Sequence, residues 1–153
     1  MDKVFFLLAT VLGAGKSPIM PGTVGTLAGI PLCALFMLLS PQVQLPLLIA
    51  LILFSIMICD RVAEKLGEKD PSCIVLDEVA GYAVTVMLFP LTWKVLLWGF
   101  VLFRFFDILK PWPVSFFDRK TGGGAGIVLD DIAAGLYAHL VLAGLSFFPV
   151  LVS

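Results

Sequence analysis

Histidine and cysteine are scarce in this chain, and charge is scarcer than usual. One histidine and three cysteines stand among 153 residues. Cys33, Cys59 and Cys73 show no zinc-ligand spacing and no disulfide framework, and two of them lie in apolar runs. His139 sits about two turns into the last apolar run, too deep to share a surface with the polar loops. No Ser-His-Asp set follows, and a satisfied buried histidine is the ordinary reading. Ten basic residues meet eleven acidic ones, and the net charge of -1 argues against nucleic acid as a partner. Nucleotide loops are missing too. Gly15-Lys16-Ser17 has the form of a P-loop ending, but Thr10 stands where its first glycine belongs. A dinucleotide fingerprint from Gly13 meets Pro18 where a glycine is required.

Apolar residues are abundant instead. They make up 60% of the chain, against 14% charged, where soluble domains run at about 45–50% and about 25%. Mean hydropathy is +1.08. These values predict an all-α integral membrane helical bundle forming one domain over residues 1–153. About five apolar helices are expected, with a short N-terminal interfacial helix. Val4–Leu12 is too short to span a membrane, so we place it in the interface. A signal peptide is the alternative there, but Asp2 weakens its basic end. The apolar segments are Thr23–Leu39, Val43–Cys59, Ile74–Phe89, Trp93–Ile108 and Ile132–Val152.

Alternating passes put three connections, 13–22, 60–73 and 109–131, on one side of the membrane. Lys3, Lys16, Arg61, Lys65, Lys69, Arg104, Lys110, Arg119 and Lys120 fall on that side, and Lys94 falls opposite. The positive-inside rule makes the Lys-rich side cytoplasmic. Along the chain, Gly13–Gly25 is read as a Gly/Pro loop leading to a helix start near Thr23, where free N–H groups suit a phosphate. A turn with Thr23 as an ordinary N-cap fits equally. Asp60–Asp70 reads as a solvated helix end and loop. Phe116–Lys120 reads as a segment on the membrane surface, and Thr121–Gly126 as a flexible link able to approach an anion. Gly81 and Gly135 each follow an aspartate by four residues, which lets a second helix come close.

Arg104, Asp107 and Lys110 are spaced three apart and share one side of a helix that Pro111 and Pro113 stop. Charges in or beside a membrane cost about 2.5–3.5 kcal/mol each on insertion scales, and tend to be kept for function. Asp77, Glu78, Asp107, Asp130 and Asp131 come from three apolar segments and one membrane face. Carboxylates gathered in low dielectric repel one another. Oxygen ligands without histidine or cysteine suit Mg²⁺ or Mn²⁺. Arg104, Lys110 and Lys16 supply positive charge for a phosphate. Together these point to phosphoryl chemistry at a membrane surface. Helix N-terminal acids with ordinary interface charges are the competing reading. An ion- or proton-coupled transporter would instead place its charges near mid-membrane in symmetric halves, and a non-catalytic scaffold would need no acid set.

The chain resembles the bacterial phosphatidylglycerophosphatase A family. The likeness is carried by Ser17-Pro18…Pro21-Gly22-Thr23-Val24-Gly25-Thr26-Leu27-Ala28 and Asp70…Ile74-Val75-Leu76-Asp77-Glu78-Val79-Ala80-Gly81. It continues in Phe103-Arg104-Phe105-Phe106-Asp107-Ile108-Leu109-Lys110-Pro111-Trp112-Pro113, Phe117-Asp118-Arg119 and Gly123-Gly124…Gly126-Ile127…Asp130-Asp131…Ala134-Gly135. Thr26 stands where serine is common in the family and keeps the hydroxyl. The resemblance implies a Mg²⁺-dependent, multi-pass phosphatase of the bacterial cytoplasmic membrane. It would convert the phospholipid phosphatidylglycerophosphate to phosphatidylglycerol and phosphate. On this reading Asp77, Glu78, Asp107, Asp130 and Asp131 hold Mg²⁺, Arg104 and Lys110 stabilise the phosphoryl oxygens, and Thr23, with Lys16, binds substrate. Attack by an activated water and attack by Asp107 as a covalent nucleophile both remain open.

Overall fold

A computed structural model describes residues 3–112 and 123–148. Among them the secondary structure is entirely helical. The helices are α1 (Lys3–Ala9), α2 (Pro21–Met37), α3 (Pro41–Leu66), α4 (Leu76–Val86), α5 (Trp93–Leu109) and α6 (Gly123–Ser146), with one 3-10 turn at Ala14–Lys16. The expected surface segment Phe116–Lys120 lies outside the described residues, as do Pro113, Thr121 and Gly122.

Local chemistry explains most boundaries. Pro21 and Pro41 open α2 and α3 at positions where the missing N–H costs nothing. Gly67 closes α3 in a left-handed conformation (φ 69°), its N–H donating to Ala63 O and Glu64 O. Thr92 caps α5, its hydroxyl accepting from Val95 N. Two expectations shift. Helix α2 begins at Pro21, so Thr23 lies inside its first turn and is not the cap. Helix α6 begins at Gly123, nine residues before the expected Ile132, so Asp130 and Asp131 sit inside the helix and not at its mouth. Gly123–Gly126 is therefore helical rather than a flexible link. Its start is tied down by Asp60, whose Oδ1 accepts from Gly124 N at 2.9 Å. Asp60 thus has a structural partner that a solvated helix end would lack.

Helix α4 is the axis of the fold. Apart from Glu78, every one of its residues is buried. It packs on α6, α2, α3 and α5. Tyr82, Phe103, Val79, Ala134 and Leu142 fill the main core between them. The α4–α6 contact is close because Gly81 and Gly135 face each other, as their spacing suggested. At one end of the bundle Gln44 joins three segments. Its Nε2 donates to Leu39 O at 2.8 Å, and its Oε1 accepts from Leu88 N at 2.9 Å. His139 Nδ1 lies 3.2 Å from Thr85 O, and its ring meets Phe89 at 5.0 Å, the satisfied packing role expected of it.

Two helices, α3 and α6, are long and apolar enough to cross a membrane, and α2 is a shorter apolar helix. Helix α4 has 11 residues, about 16 Å at the helical rise, roughly half of a ~30 Å hydrocarbon core. Only these 11 residues of the expected apolar segment Ile74–Phe89 are α-helical, and all of them but Glu78 are buried among the other helices.

Candidate active site

The end of the bundle opposite Gln44 opens into a cleft of about 420 Å³. Four elements and one connection build it. The start of α2 gives Met20, Pro21 and Gly22, and the α3–α4 connection gives Asp70, Ser72 and Ile74. Asp77 and Glu78 come from the first turn of α4. Arg104, Asp107 and Lys110 come from the end of α5, and Asp130 and Asp131 from α6. All five carboxylates expected from the sequence therefore meet in one place, with two of the three expected phosphate cations.

Arg104 is the hub. Its Nη1 donates to Glu78 Oε2 at 2.8 Å and to Asp107 Oδ2 at 2.7 Å. Both hydrogens of that nitrogen are used, so the guanidinium is fixed in plane. Its Nε is buried without a partner among the described residues. Lys110 sits just past α5 in a left-handed conformation (φ 44°), which turns the chain out of the helix. Its Nζ donates to Asp130 Oδ2 at 2.7 Å. Asp130 Oδ1 accepts in turn from Asp131 N. Asp77 is buried, and its Oδ1 has no hydrogen-bond partner among the described residues. A buried acceptor left unpaired is costly and calls for an explanation.

As the side chains stand, no three acidic, histidine or cysteine groups among the described residues converge as a ligand set. The ion pairs account for this, since Glu78 and Asp107 turn to Arg104 and Asp130 turns to Lys110. The donor chemistry still suits a hard cation: six carboxylates line the cleft, against two cations.

Two expected residues lie elsewhere. Lys16 is exposed outside the cleft, with Nζ over the Phe6 ring at 4.9 Å from its centroid. Thr23 is half-buried in α2 and does not line the cleft. Thr26, one turn further on, was legible only as a hydroxyl in a motif, yet it reaches Glu78, donating to Oε2 at 2.8 Å. Cys73 does not line the cleft, and burial pushes its thiol above the ordinary value.

Comparison with known proteins bears on what this cleft does. A family model described as Phosphatidylglycerophosphatase A matches residues 7–146. Phosphatidylglycerophosphatase A of Escherichia coli (strain K12) is 40% identical over 149 residues, covering 97% of this chain and 84% of that protein. The protein of the same name from Haemophilus influenzae is 37% identical over 144 residues, covering 93% of this chain and 88% of that one. No solved structure matches the chain.

Proposed function

The chain belongs to the phosphatidylglycerophosphatase A family, and from that premise we infer that it removes the terminal phosphate of phosphatidylglycerophosphate at the cleft between α2, α4, α5 and α6. The products are phosphatidylglycerol and inorganic phosphate.

The observation that carries the assignment to this cleft is its charge. Six carboxylates surround two cations, and Asp77 Oδ1 is buried and unpaired. A phosphate monoester carries about -1.5 to -2 near neutral pH, so this excess of negative charge repels the substrate unless a cation offsets it. Mg²⁺ fits an all-oxygen donor set. We assign Asp77 and Asp131 as its ligands, and give Glu78 and Asp107 to Arg104 and Asp130 to Lys110 instead, although all five are expected as ligands from the sequence. Bound there, the cation would supply charge neutralisation and Lewis-acid polarisation of a phosphoryl oxygen.

The chain's own residues do the rest. Arg104, fixed by Glu78 and Asp107, and Lys110, fixed by Asp130, hold the phosphoryl oxygens. A water oxygen bonds to phosphorus as the ester P–O bond to glycerol breaks. A carboxylate of the cleft takes a proton from that water and returns it to the departing glycerol oxygen. Pairing with Arg104 makes Asp107 a poor nucleophile, which favours water over a phosphoaspartate.

A lipid substrate agrees with the outer surface. Leu35 on α2, Leu53 on α3 and Leu140 on α6 are 64%, 63% and 68% exposed, which suits lipid rather than water as their surroundings. We read α2, α3, α5 and α6 as the lipid-facing helices of a multi-pass bundle enclosing α4. Arg61, Lys65, Arg104 and Lys110 gather at the cleft end and Lys94 at the other, which supports a cytoplasmic cleft in a bacterial inner membrane. The test is phosphate release from phosphatidylglycerophosphate by purified protein in detergent. Release should stop with chelator and return with Mg²⁺; no release at saturating Mg²⁺ sinks the assignment.

A further inference from the structure

Glu78 is the one α4 residue in the cleft that α2 grips directly. Thr26 is fully buried, and its hydroxyl lies 2.8 Å from Glu78 Oε2 and 2.9 Å from Gly22 O. A hydroxyl has one proton to donate, and an ionised carboxylate is the stronger acceptor. Arg104 Nη1 donates to the same Oε2. Gly22 completes the grip. A methyl at Gly22 would stand 2.7 Å from Glu78 Cδ, so the carboxylate rests against bare α2 backbone. Thr26 itself does not line the cleft.

We propose, taking Arg104 as the phosphate-holding residue, that Thr26 is a positioning residue of the reaction. Its hydrogen bond fixes the plane in which the Glu78 carboxylate faces Arg104, and so sets the guanidinium plane and the grip on the lipid phosphate. Valine in its place keeps the shape and donates nothing. The carboxylate then turns about its terminal torsion, which has no deep staggered wells, and Arg104 loses one of its two fixed acceptors. Serine keeps the donor and so keeps the function.

The experiment measures KM, kcat and the inhibition constant of inorganic phosphate for release from phosphatidylglycerophosphate in mixed micelles with Mg²⁺. The proteins are the full chain and its T26V, T26S, E78Q, T26V/E78Q and R104A variants. T26V should weaken both KM and phosphate inhibition about tenfold, the scale of one lost hydrogen bond to a charged group, with kcat within about threefold. T26S should match the parent. T26V should add nothing to E78Q, since both act through one contact. Parent-like phosphate inhibition in T26V, failure of T26S to restore it, or additive losses in the double variant would each overturn the proposal. R104A separates the two readings. If R104A holds phosphate as the parent does, the assignment of Arg104 falls and Thr26 falls with it. If R104A is weak and T26V is not, Thr26 alone falls. Melting temperature in detergent checks folding, and T26A replaces T26V in the cycle should valine not be tolerated.

Discussion

Gly135 rests directly on the backbone of Gly81. A methyl on Gly135 would meet the Gly81 carbonyl, with its carbon at 3.1 Å, and one on Gly81 would stand 2.7 Å from Asp131 O. Main chain, which cannot rotate away, stands in the way at both positions, and at Gly81 the Phe103 ring does so too. Because α4 carries Asp77 and Glu78 and α6 carries Asp130 and Asp131, this pair also sets how far apart the two acid pairs lie. Gly135→Ala should destabilise the bundle by about 1–3 kcal/mol, the range for overpacking. Gly135→Val should do worse. Thermal melts in detergent read this directly, and an unchanged melt for Gly135→Val would remove the contact.

Loss of charge at the cleft should stop turnover without unfolding the chain. Asp77→Asn, Asp107→Asn and Asp131→Asn should each lower kcat at least about a hundredfold, the scale seen when a group acting on developing charge is removed. Near-parental rates at excess Mg²⁺ would contradict the assigned roles.

Cation binding should be visible without any reaction. Mg²⁺ should raise the melting temperature of the substrate-free protein, because a ligand that binds only the folded state stabilises it. The rise should shrink in Asp77→Asn and Asp131→Asn. A melt insensitive to Mg²⁺ in the parent protein would argue against a resident cation.

Two lysines expected to supply positive charge for the phosphate part ways. Lys110 lines the cleft and pairs with Asp130, whereas Lys16 lies over Phe6 outside it. Lys110→Ala should raise KM roughly tenfold, since it removes a charge-assisted contact and the ion-pair partner of Asp130. Lys16→Ala should leave KM within about twofold, as for exposed substitutions away from a site. Initial-rate kinetics in mixed micelles distinguish them.

The sequence showed the acids but not their arrangement. Asp77, Asp107 and Asp131 were legible because charges at the ends of apolar runs are costly and few. The helical character of the fold was legible from composition, and the Gly81–Gly135 contact from the four-residue offset after each aspartate. Three features were not. Hydropathy makes α4 look like a span, because a helix buried in protein and one buried in lipid are apolar for the same reason. The nine-residue extension of α6 was hidden by its glycines, which read as a linker, while the residue that holds them in helix, Asp60, lies 64 positions away. The contact between Thr26 and Glu78 spans 52 positions, and no local periodicity reports a pairing of that kind.

The shortness of α4 bears on what holds the cleft in shape. Its eleven residues, with Asp77 and Glu78 in the first turn, are sheathed by α2, α3, α5 and α6. The two acids therefore inherit their place from neighbours distant along the chain, and a change that loosens any of those neighbours shifts both acids together.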